Sequence, residues 1–163
     1  MPFSLPANFN PGDSYTNVHA NNVAAAVNTL VNGMQTAYVA TAESTTSTTF
    51  TDLATTTDQV TVTIGQSGVA LVFMSASLTG SVAGNAPVMS FAVSGANTIA
   101  AAVGANAMLY QAAGAGYIGQ FGVMVPLAGL AAGSTTFKLK YVVGGAAGTS
   151  TFQYRRITVI PFP

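Results

Sequence analysis

The residues that could carry out acid–base or metal chemistry are few in this chain, and they are widely spaced. Among 163 residues there are four acids, four bases, one histidine and no cysteine. A catalytic zinc ion needs three clustered ligands, and His19 is the only imidazole available to such a set. A Ser–His–acid triad would have to use the same residue. The residue types therefore predict that the chain is not an enzyme and that it uses no metal and no cofactor.

Two further spacings that could bind a ligand carry weak signals. Asp52 and Asp58 lie six residues apart, but a calcium loop would supply several more oxygen ligands at close spacing. The short run Gly114-Ala115-Gly116 is not followed by the Lys-Ser or Lys-Thr pair of a phosphate-binding loop. We interpret the first as a surface turn and do not assign the second to phosphate binding.

The four bases all lie near the C-terminus, whereas the four acids all lie within the first 58 residues. Four bases split over two strand faces are too few for nucleic-acid binding through phosphate neutralisation. Two interpretations remain open. Either the lysines protect an edge strand, or the bases meet acids from the N-terminal third of a neighbouring copy and set the register of an oligomer. The residues of this predicted inter-subunit charge are Lys138, Lys140, Arg155 and Arg156.

Charge is scarce over the whole chain. Charged residues make up 5% of the sequence and the formal net charge is zero, whereas an ordinary soluble domain has about 25%. Charge keeps a free monomer soluble, so this composition indicates a protein that is packed against copies of itself or on a larger assembly. The uncharged stretch 112–133 has the length of a membrane span, but its glycines, Pro126 and its period-two pattern favour a strand. We therefore expect no membrane partner.

The first third of the chain predicts an extended arm followed by a helix. Residues 1–13 hold three prolines with Phe3, Leu5 and Phe9 between them, which is typical of an arm that is disordered or laid along a partner. From residue 14 to 32 there is no Pro or Gly, and Gly33 is placed to end a helix in a left-handed conformation. Two alternatives are open for the apolar seam of this predicted helix: it packs on its own domain, or it packs on another copy of the chain or on another protein. The seam includes Val23, Val27 and Leu30.

The remaining sequence predicts an antiparallel β-sandwich of eight or nine strands with a jelly-roll-like topology. Residues 43–58 are rich in Thr and Ser and read as a linker that passes into a first strand, or as disorder. Apolar and polar residues then alternate, and we expect strands near 60–64, 69–78, 88–94, 97–103, 106–111, 117–127, 135–143 and 150–160. The predicted division is an arm and helix in residues 1–43 and a β-domain in residues 44–163.

Alternation also predicts which side chains share a face. On strand 135–143, Phe137, Leu139 and Tyr141 should face away from the two lysines. Strict alternation on the last strand would place Phe152, Tyr154 and Arg156 on one face. It would place Arg155, Ile157 and Val159 on the other.

Several of these strand patterns resemble a β-domain that recurs in structural proteins of bacteriophages, notably those that infect actinobacteria. They are the run 44–64 (STTSTTFTDLATTTDQVTVTI), the runs 68–72 (GVALV) and 89–95 (MSFAVSG), and the closing run 152–160 (FQYRRITVI). The opening run 9–13 (FNPGD) is similar to N-terminal attachment segments of phage tail and head-fibre proteins.

The resemblance implies a virion surface protein, and such β-domains often assemble as trimers. We expect a minor capsid or decoration protein that binds the major capsid protein or another virion protein as a homo-oligomer. In that role Phe3, Leu5 and Phe9 would anchor the arm on the capsid shell. The alternative is the tip of a head or tail fibre that binds a host glycan or surface protein, with Tyr110, Tyr117, Tyr141 and Tyr154 as candidate stacking residues.

Overall fold

The computed structural model describes residues 17–163, in which one helix is followed by nine strands. The predicted arm, with Phe3, Leu5 and Phe9, lies outside the described residues. The helix α1 spans Asn17–Gly33. The strands are β1 (Gln35–Val39), β2 (Glu43–Thr45), β3 (Gln59–Ile64), β4 (Ala70–Gly80), β5 (Asn85–Gly95), β6 (Ala107–Leu109), β7 (Ile118–Leu127), β8 (Gly133–Gly145) and β9 (Ser150–Pro161).

The strands form two antiparallel sheets, which confirms the predicted all-β sandwich. Sheet A has the order β1-β9-β4-β7, and β2 also pairs with β9. Sheet B has the order β3-β8-β5-β6. Side chains from both sheets form one buried cluster, in which the rings of Tyr141 on β8 and Phe152 on β9 lie 4.8 Å apart. The jelly-roll topology stays a prediction.

Period-two alternation explains which side chains enter this core. On β3, Val60, Val62 and Ile64 are buried between exposed polar residues. On β8, Phe137 and Leu139 point into the core with Tyr141, as predicted, and the lysines point away. The central strand β4 buries only one face, however, because Phe73 on its other face is 37% exposed. The apolar run 69–78 is typical of a strand that is buried on both faces. That expectation from the sequence is wrong here, since no layer covers the outer face of sheet A within the described residues.

A β-bulge interrupts the alternation on β9. Ser75 pairs with Arg156 and Ser77 pairs with Gln153, so two residues of β9 oppose the single Ala76 of β4. Tyr154, within the bulge, has a φ of 55°, which is the left-handed region. The extra residue reverses the faces beyond it.

The bulge therefore corrects the predicted faces of the last strand. Phe152 shares the buried face with Arg155, Ile157 and Val159, whereas Tyr154 and Arg156 are exposed. Strict alternation fails here because it assumes that every residue of a strand advances the pattern by one step.

Three local expectations differ from the structure. Strands β1 and β2 were not predicted, and β1 adds to sheet A before residue 44; the division of the chain after residue 43 stays a prediction. No strand forms at 97–103, because Asn97 bonds through its side chain to Ala131 and Thr135 and only Ile99 forms a bridge. Gly33 ends α1 as expected, but not with a positive φ; a Cβ there would lie 3.2 Å from Pro161.

Strand β7 is at the end of sheet A and carries no charged side chain over its ten residues. Among residues 17–163, no helix has the length and apolar character to cross a membrane.

The strained position in the bulge gives a test of the structure. We expect Tyr154→Gly to be more stable than Tyr154→Val by about 1–2 kcal/mol, because a β-branched residue is strained in the left-handed region and glycine is not. Urea unfolding measures the difference. At Tyr38, an exposed residue of the regular strand β1, the order should reverse, with Val more stable than Gly by about 1 kcal/mol. The same order at both positions would contradict the bulge.

Candidate functional site

The most unusual polar feature of the molecule is an arginine in the core of the sandwich. The bulge on β9 turns Arg155 inward, and its side chain has no exposed surface. Its Nη2 donates to Glu43 Oε2 at 2.8 Å, and its Nη1 donates to the carbonyl oxygens of Thr41 and Phe152. Its Nε lies 3.4 Å from Asp58 Oδ2. We call Arg155, Glu43, Asp58 and Tyr141 the buried charge cluster.

Asp58 and Tyr141 form the inner half of this cluster. Asp58 is 2% exposed, accepts a hydrogen bond from the Tyr141 hydroxyl and lies at the entry to β3. Burial raises the pKa of Asp58, although the hydrogen bond from Tyr141 and the charge of Arg155 act in the opposite direction. Burial and the negative charge of Asp58 hold the pKa of the Tyr141 hydroxyl far above its usual value. The hydroxyl therefore stays protonated and donates.

Glu43 forms the outer half and connects β2 to the cluster. Its carboxylate accepts hydrogen bonds from the backbone N–H and hydroxyl of Thr55, in addition to the bond from Arg155. Burial raises the pKa of Glu43, but these hydrogen bonds and the charge of Arg155 outweigh it, so the pKa lies below its usual value. The cluster thus joins both sheets and the 43–58 segment, which is ordered rather than a disordered linker.

The lysines are paired separately, with one shared acid, on the outer face of sheet B. Lys138 Nζ lies 2.8 Å from one carboxylate oxygen of Asp52, and Lys140 Nζ lies 2.7 Å from the other. Burial raises the pKa of Asp52, but the hydrogen bonds from the two lysines outweigh it and the pKa is lowered. The interpretation that these lysines protect an edge strand was wrong, because β8 lies between β3 and β5.

The bases therefore meet the N-terminal acids within one chain. Arg155 has no exposed surface with which to reach a neighbouring copy, so we do not assign it to an inter-subunit contact. Lys138 and Lys140 are partly exposed, and their contact with another copy stays a prediction. Asp52 and Asp58 both take part in ion pairs. The interpretation of this spacing as a surface turn was wrong for Asp58, which is buried. Within residues 17–163 no three His, Cys, Asp or Glu residues come together to hold a metal ion.

Arg156 is the one charged residue in the described part of the chain without an ion-pair partner there. It is exposed on the outer face of sheet A, and its guanidinium lies over the ring of Tyr38, 5.0 Å from the centroid. A cation held over a tyrosine ring is fixed in place but keeps its charge available to an anionic group.

Beside Arg156 the outer face of sheet A forms a shallow depression of about 400 Å³, which we call the sheet A groove. The floor of the groove carries little side-chain volume, because Ser75 of β4 pairs with Gly122 of β7. The next pair toward one end is Phe73 with Met124, which are 37% and 53% exposed. The lining is completed by Met74, Val123, Arg156 and Thr158. The groove is thus apolar with one positive charge at its rim.

The helix presents a second apolar surface. Val23 is 37% exposed and Val27 is 52% exposed, while Leu30 is half-buried. Val31 and Met34 are also exposed near the helix end. Two of the three predicted packing residues, Val23 and Val27, are therefore exposed apolar groups that the sandwich does not cover.

The candidate stacking tyrosines separate into two classes. Tyr141 is fully buried in the charge cluster, and Tyr110 is half-buried with its ring 5.3 Å from that of Phe121. Tyr117 and Tyr154 are exposed. The side chain of His19 lies outside what the structure describes. No protein-family model matches this chain, and no curated protein matches it.

The buried charge cluster predicts a large difference between adjacent arginines. We expect Arg155→Met to lower the free energy of unfolding at neutral pH by about 3–5 kcal/mol, because the buried carboxylate of Asp58 and the partly buried carboxylate of Glu43 lose their counter-charge. The matched control Arg156→Met should change it by less than about 1 kcal/mol, since that side chain is exposed. Urea unfolding of both variants measures the effect.

The same variant has a defined pH dependence. Without Arg155 the folded-state pKa values of Glu43 and Asp58 are higher than in the wild type. The folded variant therefore takes up protons before the folded wild type as pH falls, which favours the variant. The deficit of Arg155→Met should therefore shrink between neutral pH and the ordinary carboxyl range. A deficit that is constant with pH would contradict the electrostatic role of Arg155.

Proposed function

We propose that this chain is a structural protein of a bacteriophage virion, a minor capsid or decoration protein that binds the capsid shell as a homo-oligomer. The observation that carries the proposal is the distribution of charge and apolar surface. Six of the seven charged residues in the described part pair with one another, and large apolar side chains lie on the outside. A surface of this kind suits permanent contact with protein rather than with water.

The helix supports self-association. Val23 and Val27 lie four residues apart on α1, which is the spacing of a seam between packed helices. Neighbouring asparagines form no ion pairs and have low helix propensity, so a partner surface stabilises this helix more than its own sequence does. We propose a trimer because the β-domains that the sequence resembles often assemble as trimers.

The arm provides the attachment to the shell. Phe3, Leu5 and Phe9 would bury apolar area against the major capsid protein, at about 25 cal/mol per Å² before the costs of association. Clamping of shell subunits in this way would resist internal pressure from the genome. No catalytic step, cofactor or nucleic-acid contact is part of this proposal.

Self-association through the helix can be tested with two charge-matched variants. We expect Val27→Asp to weaken the oligomer at least tenfold, because it places an unpaired carboxylate in the seam. Asn28→Asp adds the same charge at the next residue, which is also exposed, and should leave the association within about twofold. Sedimentation equilibrium gives both constants. A wild-type chain that is monomeric at micromolar concentration would overturn the proposal.

One observation favours the alternative function, a fibre tip that binds a host surface. Tyr117 and Ile118 are 60% and 70% exposed where a glycine-rich loop enters β7, and Leu109 on neighbouring β6 is 52% exposed. Apolar and aromatic side chains grouped near a loop resemble a recognition surface.

The alternative makes its own prediction. If the chain is a fibre tip, Tyr117→Ala should reduce binding to host cells at least tenfold, because an exposed ring supplies stacking area. Tyr154→Ala removes an exposed ring on the outer face of sheet A and serves as the control. Labelled protein on host cells provides the measurement, and equal binding by wild type and Tyr117→Ala would exclude this surface.

A further inference from the structure

The sheet A groove has a size and a charge that define what would fit it. Its apolar side chains, Phe73 and Met124, are exposed, and its floor at Ser75 and Gly122 carries almost no side-chain volume. A depression of about 400 Å³ has room for an aromatic side chain. The single cation at its rim, Arg156, calls for an acid near that side chain in the occupant.

The charges of the chain identify a candidate acid. Residues 17–163 contain four bases and three acids, and the three acids are paired with Lys138, Lys140 and Arg155. The chain has four acids in total, so the acid that remains is Asp13. It lies four residues after Phe9, within the arm that the sequence predicts.

We propose that the N-terminal arm of a second copy occupies the sheet A groove, with Phe9 against Phe73 and Met124 and with Asp13 against Arg156. This rests on the proposed homo-oligomer and names the segment that connects its subunits. It assigns Phe9 to a neighbouring subunit, and it leaves Phe3 and Leu5 to contact the shell. The occupant is a peptide of this chain, which matches the mostly apolar lining better than a sugar would.

The distances agree with this assignment. Arg156 on β9 and Met124 on β7 are separated by β4 alone and are offset by two residues along the strands, so two strand spacings across and two residues along amount to about 12 Å. Four residues of extended chain reach up to about 13 Å. Phe9 and Asp13 can therefore reach the apolar end and the charged rim of one groove at the same time.

The arm of a second copy fits better than the arm of the same chain. The chain from Asp13 to the first residue of α1 can reach up to about 13 Å, and the 17 residues of α1 then span about 25 Å before β1 begins. No described residue of α1 lines the groove, and Tyr38 and Phe73 beside it are exposed, so α1 does not fold back across that face. A neighbouring subunit has no such constraint.

Filling the groove is the first test. A Cβ at Gly122 would lie 3.6 Å or more from its neighbours, so Gly122→Val keeps the backbone and fills the floor. We expect it to weaken the association of the full chain at least tenfold by sedimentation equilibrium. Gln120→Val places the same side chain two residues away on the same exposed face and should have less than a twofold effect. Urea unfolding of both variants verifies that they fold.

A charge exchange between chains is the second test. Asp13→Arg and Arg156→Asp should each associate at least threefold more weakly than wild type at low ionic strength, because each places like charges together. A mixture of the two variants should associate more tightly than either alone, since the arm of the first variant, now basic, then meets the groove of the second, now acidic. The control mixes Asp13→Arg with the double variant Asp13→Asn/Arg156→Gln. In that mixture no opposite charges meet, so it should associate no more tightly than the double variant alone.

The outcomes separate this inference from the proposed function. Rescue in the mixture supports arm exchange between copies. If the double variant Asp13→Arg/Arg156→Asp recovers wild-type association and the mixture of single variants does not, the arm lies on its own subunit. That result overturns the inference. Association unchanged by Gly122→Val and by both charge reversals also overturns it, but leaves the homo-oligomer standing. A monomeric wild type contradicts both.

Discussion

A guanidinium in the centre of a β-sandwich is the constraint on which this structure depends. Burying Arg155 without acids would be very costly, so the fold must bring Glu43 from β2 and Asp58 from the start of β3 to the same point. These acids come from a Thr-rich segment with little apolar character. The ion pairs, with the Thr55 and Tyr141 hydrogen bonds, therefore hold a segment that hydrophobic burial alone would hold weakly.

The same constraint shapes the surface. Because the core takes one arginine with its two acids, and Asp52 takes both lysines, the charges of the described chain are almost all directed at each other. Apolar side chains and uncharged polar groups cover what remains, on α1, on the outer face of sheet A and at the β6–β7 side. The composition showed that charged residues are scarce, but it could not show that they form ion pairs within a single chain. Matching a base with an acid more than eighty residues away requires the fold.

Much of the sandwich could be predicted from periodicity, and the failures have specific causes. Burial alternates over six or more residues of β3, β4, β7 and β8, and each strand lies close to its expected place, although β4 was expected from its apolar run rather than from alternation. β1 and β2 are short edge segments whose pairing with β9 leaves little trace in their own sequence. The bulge at Tyr154 depends on one backbone angle, yet it decides that Arg155 enters the core. The groove beside Arg156 could not be predicted from the sequence either, because its floor is made by small residues from different strands, Ser75 and Gly122.

The uncharged free edge of β7 has a consequence for how such a protein is produced. Within residues 17–163, the backbone groups of β7 that face away from β4 have no strand partner, and Pro126 is the one residue of β7 that deters a passing strand, since the strand has no lysine or acid. A free copy of the chain is therefore open to pairing with a strand of another chain along this edge, which is a hazard of aggregation. A low concentration of free copies limits that hazard, because extension of the sheet depends on how often two such edges meet.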